Sequence, residues 1–153
     1  MAKKFVKKEL SPDPIYNSVL ISKLVNYVMK KGQKQTARKI VYGAFEIVKG
    51  KTNQEPMDVF NSAIRNARPL LEIKPRRVGG AVYQVPKEVD EQRGTVLALR
   101  WILEASRKKK GKPLAQKLAN EIMETANGQG DAIRKKENVH KMAEANRSFA
   151  HLG

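Results

Sequence analysis

The chain has 153 residues, enough for a single domain that spans 1–153, and 41% of them are apolar, as in ordinary globular proteins. Lys and Arg number 31 against 15 Asp and Glu, so the formal net charge of +16 predicts a polyanionic partner. The absence of cysteine excludes disulfides and thiolate chemistry. The sequence has no apolar run of membrane length and no leader pattern, so we expect a cytoplasmic protein that binds nucleic acid and has no membrane partner.

The first sixteen residues are predicted to form an extended basic arm. They have no helical periodicity, and Pro12 and Pro14 disfavour helix on both sides of Asp13. The arm concentrates charge at four lysines, Lys3, Lys4, Lys7 and Lys8. A flexible basic segment can follow a phosphate backbone, so we predict that these lysines contact RNA; a frayed terminus is the alternative.

Three amphipathic helices are predicted after the arm. The first begins at the cap pair Asn17-Ser18 and stops before Gly32, the second lies between Thr36 and Gly50, and the third runs from Glu55-Pro56 to Pro69. Their apolar residues recur at spacings of three and four, which predicts one buried face on each helix. Basic residues such as Arg38 and Lys39 fall on the outer face of the second helix.

The hydrophobic period changes in residues 71–87, which we predict to be a β-hairpin. Two β-compatible runs flank Gly79-Gly80, and a loop of two glycines pairs Val78 with Ala81. Pro75 and Pro86 cannot donate to a central ladder, so both strands should be edges of a lone ribbon, which is marginal in water. One face of the ribbon is then basic and contains an aromatic ring, with the residues Lys74, Arg76, Tyr83, Val85 and Lys87.

Three further helices complete a mainly α, six-helix domain with one protruding hairpin. The fourth, from about Gln92 to Ser106, is apolar nearly all round and is predicted to be the central, most buried helix. A basic loop over residues 107–113 precedes the fifth helix, and its lysines are expected to fill no core. The fifth helix ends at Asn127-Gly128. Asp131 should cap the sixth, which we expect to turn Val139, Met142, Ala143 and Phe149 inward.

No pattern in the chain supports catalysis. His140 and His151 lie in a basic C-terminal helix, where surface or nucleic-acid contact is favoured over general-base chemistry. The acids within residues 88–91 begin a helix, where they match its dipole. Gly50-Lys51-Thr52 lacks the upstream glycine of a phosphate loop. We therefore predict no enzymatic activity, no small-molecule substrate, no cofactor and no metal.

A series of short motifs is spread in order along nearly the whole chain. They are Asp13-Pro14, Lys30-Lys31-Gly32-Gln33-Lys34, Asn66-Ala67-Arg68-Pro69, the run from Glu72 to Gly80, Tyr83-Gln84-Val85-Pro86, the run from Met142 to Arg147, and Phe149-Ala150-His151. This series is similar to the signature of the bacterial small-subunit ribosomal protein seven family. The resemblance implies a six-helix domain with a protruding hairpin that binds small-subunit ribosomal RNA and nucleates folding of its 3′ major domain, the head.

The same resemblance implies further partners. It predicts a place at the subunit interface near exit-site transfer RNA, contacts with small-subunit ribosomal proteins eleven and nine, and translational repression through the family's own messenger RNA. The sequence given stops at Gly153, where such relatives often continue with an Arg-Trp-type tail, so the resemblance does not extend to the contacts of that tail.

Residues and resemblance together give a predicted site. The ribosomal RNA-binding residues are predicted to be Lys3, Lys4, Lys7, Lys8, Lys30, Lys31, Lys34, Arg38, Lys74, Arg76, Arg77, Tyr83, Arg100, Arg107, Lys108, Lys109, Lys110, Lys112, Arg134, Lys141 and Arg147. The uncharged hairpin tip, with Val78, Gly79, Gly80 and Ala81, is predicted to lie near exit-site transfer RNA.

Two other functions are open at this point. Some architectural proteins bind the minor groove of DNA through a basic ribbon that contains proline. Such proteins are usually shorter dimers, and no pattern in this sequence indicates a dimer interface. An RNA-processing enzyme is the weaker alternative, because the chain offers no base, nucleophile or metal cluster.

Overall fold

The computed structural model describes residues 6–153, so Lys3 and Lys4 of the predicted arm lie outside the described residues. Within that range the secondary structure is mainly helical, with one two-stranded sheet. The elements in chain order are α1 (Val19–Val28), α2 (Lys34–Thr52), α3 (Pro56–Ala67), β1 (Leu71–Val78), β2 (Ala81–Glu88), α4 (Glu91–Lys108), α5 (Leu114–Ala126), α6 (Asp131–Ala145) and the 3₁₀ helix η1 (Arg147–Leu152). The predicted fold, six α-helices with one hairpin, is confirmed.

The helices enclose one hydrophobic core. Phe45 of α2 and Phe60 of α3 are fully buried with their ring centroids 5.3 Å apart, and aliphatic side chains fill most of the remaining volume. Nine residues of α4 are buried, more than in any other helix described, which confirms α4 as the central helix. In residues 6–153 no helix combines the length and the apolar character needed to cross a membrane.

Local signals set the start of several helices, as predicted for α1 and α3. The Ser18 hydroxyl accepts the N–H of Ile21 at 3.4 Å and caps α1, and the Asp90 carboxylate accepts the N–H of Arg93 at 2.7 Å and caps α4. Each bond satisfies a backbone donor that the helix itself leaves free. Pro56 occupies the first turn of α3, where its missing N–H has no consequence.

Three predicted helix boundaries are wrong, the first being the start of α2, which lies at Lys34 and not after Thr36. Gly50 does not stop α2, which continues to Thr52 and ends at Asn53, whose φ of 53° lies in the left-handed region that asparagine tolerates. Asp131 does not cap α6, since the cap position is Gly130. The free N–H of Ala132 donates instead to the carboxylate of Glu121 on α5, at 3.0 Å. A residue distant in sequence therefore caps α6.

The hairpin has the predicted register. Val78 pairs with Ala81 and Arg76 with Tyr83, and the loop residues Gly79 and Gly80 have φ of 58° and 84°. Positive φ at both loop positions gives the twist that joins two antiparallel strands in the shortest loop, and glycine adopts it without steric cost. Both outer edges of the ribbon are free of a third strand within the described chain.

The base of the ribbon packs against the C-terminal elements. Val85 is 2% exposed, and the Tyr83 ring centroid lies 5.2 Å from that of Phe149 in η1. At the start of the ribbon, the N–H of Leu70 donates to Nε2 of His140 on α6 at 3.0 Å. These contacts give the ribbon the support that two strands alone would lack.

The inward face predicted for the last helix is partly wrong. α6 ends at Ala145, so Phe149 belongs to the separate helix η1 and packs on the ribbon rather than on the helical core. Met142 is 51% exposed, whereas Ala143 is buried as predicted. The buried residues of α6 are Ala132, Ile133 and Ala143, so the helix turns only a narrow face inward.

Candidate nucleic-acid interface

Most of the predicted RNA-binding cations are exposed in the structure. A subset is exposed and has no ion-pair partner among residues 6–153: Lys7, Lys8, Lys30, Lys31, Lys34, Arg76, Arg77, Lys108, Lys110, Lys112 and Lys141. These side chains lie on the arm, the α1–α2 connection, the first turn of α2, the ribbon, the last residue of α4, the α4–α5 connection and α6. Cations without an internal partner keep their full charge available for phosphates.

The arm is anchored at its C-terminal end by Asp13. This carboxylate is 3% exposed and accepts the N–H groups of Ile15 and Tyr16 at 3.0 and 2.9 Å. It also accepts the hydroxyl of Tyr42 on α2 at 2.6 Å. Burial, together with the bond to Asp13, raises the pKa of Tyr42 to about 12, so the tyrosine remains a donor. Residues 6–13 have neither helix nor strand, and residues 14–16 form a turn beside the attachment to α2.

Anchoring brings the arm beside the N-terminal half of α2. Lys8 of the arm and Lys34 and Arg38 of α2 line one open groove together with residues 9–14. Lys34 lies in the first turn of α2, where the positive end of the helix dipole adds to the side-chain charges. Three cations and two acids, Glu9 and the buried Asp13, line this groove, so the cations from two segments that are separate in sequence leave a small excess of positive charge on this side of α2.

A second groove lies on the other side of the first turns of α2, and we call it the α2 groove. Its floor is apolar and consists of Val28, Met29, Ala37, Ile40 and Leu114. Its rim is polar or cationic and consists of Lys30, Gln33, Thr36, Arg107 and Lys117. The elements that meet there are α1, the α1–α2 connection, α2, α4 and α5.

Two cations at the α2 groove also have structural partners. The Arg107 guanidinium donates to the carbonyl oxygens of Tyr27 and Val28 at 3.4 and 3.2 Å, at the C-terminal end of α1. Such bonds satisfy carbonyls that the helix leaves free. The ammonium of Lys117, which the sequence analysis did not single out, donates to the carbonyl of Lys109 at 2.8 Å. Both side chains thus hold the groove walls together.

Lys109 belongs to the interior contacts of the protein. Its Nζ lies 3.1 Å from Oε2 of Glu121, whose side chain is 0% exposed, and 3.5 Å from Oε2 of Glu124. Burial lowers the pKa of Lys109, the two carboxylates raise it, and the net direction is upward. The expectation that the lysines of the basic loop fill no core is therefore wrong for Lys109, whereas Lys110 and Lys112 are exposed and form no ion pair within the described chain.

The ribbon divides into an anchored base and an exposed distal half. Near the base, the largely buried carboxylate of Glu72 lies 3.1 Å from Nε of Arg93 and 3.7 Å from Nζ of Lys74. Arg76 and Arg77, further out, are exposed. Tyr83, which is predicted to bind RNA, has part of its ring against Phe149, so only its remaining surface is open to a partner.

The remaining predicted cations are on the helical surface. The Arg100 guanidinium lies 5.8 Å from the ring centroid of Tyr27, a cation–π contact. Arg134 and Arg147 form exposed pairs one turn from Asp131 and Glu144, each at 2.9 Å. Exposed pairs of this kind contribute little to stability, so both arginines can exchange their partner for a phosphate.

His140 has a structural partner in the fold. Burial first, and then the charge of Lys136, lower its pKa, which favours the neutral ring that accepts the N–H of Leu70. Lys136, another cation that the sequence analysis did not single out, donates to the carbonyl of Asn66 at 2.7 Å. In the described part of the chain, no cluster of three or more His, Asp or Glu side chains is arranged to hold a metal ion.

The fold and the distribution of exposed cations define a basic helical domain with a ribbon, built to bind a polyanion over an open surface. Comparison with known sequences identifies the family: the sequence model described as Ribosomal protein S7p/S5e matches residues 1–147, and the chain belongs to this family. The resemblance inferred from the motifs is thereby confirmed. As a member, the chain is a ribosomal protein of the small subunit, part of a cytoplasmic ribonucleoprotein that acts in translation and contains ribosomal RNA.

Several curated relatives match almost end to end. The chain is 58% identical over 144 residues to small ribosomal subunit protein uS7 of Thermotoga petrophila, which covers 94% of this chain and 93% of the relative. The protein of the same name from Thermosipho africanus is 58% identical over 145 residues, with 95% and 94% covered. That from Dictyoglomus thermophilum is 56% identical over 144 residues, with 94% and 92% covered.

Proposed function

We propose that the chain binds small-subunit ribosomal RNA directly, as a primary binder that nucleates folding of the head. The observation that carries the proposal is the set of exposed cations without internal partners on the arm, both sides of α2, the ribbon and the α4–α5 connection. Because these elements are fixed to one core, many phosphate contacts form together when the RNA adopts the matching shape. Binding and RNA folding are then coupled.

The proposal is tested by binding the full chain to a transcript of the 3′ major domain of small-subunit ribosomal RNA. A transcript of the 5′ domain and a duplex DNA of equal length serve as controls at the same salt concentration. We expect preference for the 3′ major domain, and log affinity should fall with log salt by about 0.7–0.9 for each phosphate neutralised. A nearly flat salt dependence would contradict the electrostatic basis, and a preference for duplex DNA would favour the architectural alternative.

The nucleation step has its own measurement. Chemical probing of the 3′ major domain transcript, with and without the chain, should show protection that extends beyond the contacted nucleotides into helices of the head. Protection limited to a few phosphates would mean that the chain binds RNA without organising its fold.

The hairpin tip is proposed to lie near exit-site transfer RNA. Val78 to Ala81 carry no charge, and two glycines at the tip allow a neighbour to approach the backbone closely. Contacts with small-subunit ribosomal proteins eleven and nine, and repression of the chain's own messenger RNA, are proposed on the family resemblance. Crosslinking from the tip in assembled subunits, and competition between messenger and ribosomal RNA for the chain, are the corresponding tests.

A further inference from the structure

We propose that Tyr42 is a positioning residue for RNA binding, one that acts by holding the basic arm in place and not by contacting RNA itself. This inference rests on the proposed function, because the lysines of the arm belong to the same RNA-binding surface. It adds a determinant of affinity that lies on the protein side of the interface: the order of the arm before RNA binds.

Asp13, at the C-terminal end of the arm, is a buried acid whose partners are neutral. It is 3% exposed, and it forms no ion pair with any cation of residues 6–153. A buried carboxylate without a cation is stabilised by the hydrogen bonds that it accepts. Of its three described donors, the N–H groups of Ile15 and Tyr16 belong to the adjacent turn, and only the Tyr42 hydroxyl comes from the helical core.

The other attachments of the arm are to the start of α1. The Ser22 hydroxyl donates to the carbonyl of Ser11 at 2.7 Å, and the N–H of Asp13 donates to the carbonyl of Ser18 at 3.0 Å. Among the hydrogen bonds of the described residues, the bond from Tyr42 is the one that joins the arm to α2. A segment attached to one helix can pivot, whereas attachment to two helices fixes its direction.

The direction of the arm decides where its charge lies. Lys8 lines the open groove beside Lys34 and Arg38, so the held arm adds a cation to the first turns of α2. Charges of like sign repel one another, so an arm without the bond from Tyr42 is driven away from α2. Each arm residue that RNA must then order costs conformational free energy, and an arm ordered in advance avoids that cost.

Tyr42 suits this role because its hydroxyl remains a donor at neutral pH. Burial raises the pKa of Tyr42 to about 12, with a further contribution from the bond to Asp13. The ring has contacts of its own, since its centroid lies 6.0 Å from that of Tyr16. Phenylalanine at this position keeps the ring and removes only the hydroxyl, so the bond to Asp13 can be tested by itself.

Tyr42→Phe and Tyr16→Phe form a matched pair of substitutions. Both remove one hydroxyl from the same aromatic cluster, but the hydroxyl of Tyr16 makes no hydrogen bond within residues 6–153. Affinity for the 3′ major domain transcript should fall about tenfold for Tyr42→Phe, equivalent to about 1.4 kcal/mol, because a bond to a charged acceptor is lost. Tyr16→Phe should stay within about twofold. Circular dichroism of both variants should match the parent chain.

Removal of the arm charges shows whether Tyr42 acts through the arm. In a full chain in which Lys3, Lys4, Lys7 and Lys8 are replaced by Gln, Tyr42→Phe should lower affinity by less than about twofold, because an uncharged arm gains little from being positioned. A general structural defect would lower affinity equally in both backgrounds. A loss of about tenfold that persists without the arm charges would therefore overturn the proposal.

Hydrogen exchange of the free chain measures the order of the arm directly. The N–H groups of Ile15 and Tyr16 donate to Asp13, so they should exchange faster in Tyr42→Phe than in Tyr16→Phe and should be protected in both variants once RNA is bound. Faster exchange with unchanged RNA affinity, or equal affinities of the two phenylalanine variants, would refute the positioning role alone. Failure of the unsubstituted chain to bind the transcript would refute the proposed function as well.

Discussion

Lys109 offers the sharpest test of the structural difference between neighbouring lysines, because it pairs with the buried Glu121 and the adjacent Lys110 is exposed. Lys109→Ala removes the partner of the Glu121 carboxylate, which stays buried and keeps only the bond from the N–H of Ala132. Removing one member of a buried pair costs about 3–5 kcal/mol when both charges are buried. The side chain of Lys109 is 33% exposed, so solvent screening reduces the expected loss of unfolding free energy to about 2 kcal/mol.

The measurement is urea unfolding followed by circular dichroism, with thermal unfolding as a second probe. For a domain of this length, a loss of 2 kcal/mol corresponds to a Tm lower by about 4–8 °C. Lys110→Ala is the matched control, because the adjacent lysine is exposed and has no ion-pair partner in residues 6–153; it should change stability by less than about 0.5 kcal/mol.

A double substitution checks the mechanism. Lys109→Met combined with Glu121→Gln removes both charges, so its loss of unfolding free energy should be smaller than the sum of the losses measured for Lys109→Met alone and Glu121→Gln alone. Equal stability of Lys109→Ala and Lys110→Ala, or strict additivity in the double variant, would refute the role assigned to the pair.

Three further predictions address RNA binding and pH. Replacing Lys108, Lys110 and Lys112 by Gln while Lys109 is kept should weaken RNA binding in a filter assay and leave the circular dichroism unchanged; loss of helix would contradict it. Arg76→Glu with Arg77→Glu should impair ribosomal RNA binding, whereas deletion of residues 78–81 should spare assembly and alter exit-site transfer RNA retention; loss of ribosomal RNA binding on tip deletion, with the core folded, would refute this division. Because the pKa of His140 is lowered by folding, its contribution to stability is complete above about pH 6.5 and is lost as pH falls through the folded pKa. His140→Gln should flatten that part of the stability profile, and an unchanged profile would refute the bond to Leu70 as its origin.

Local sequence determined much of this protein. The two glycines of the hairpin loop set the register of both strands, because only a two-residue loop with positive φ joins them there. Ser18, Pro56 and Asp90 mark helix starts through contacts within one turn. The period of the apolar residues predicted six helices and the central place of α4, since burial of one face requires that spacing. The net charge predicted a polyanionic partner.

The tertiary structure alone decided which of these charges have a partner within the fold and which remain exposed. Lys109 and Lys110 are the same residue type at adjacent positions, yet only Lys109 meets the buried Glu121, which lies on another helix. The capping of α6 by that same carboxylate and the support of the ribbon by Phe149 likewise join segments far apart in the chain. Periodicity and composition report a residue's immediate neighbours, whereas these contacts depend on how whole elements pack, and packing is settled only when the complete core forms.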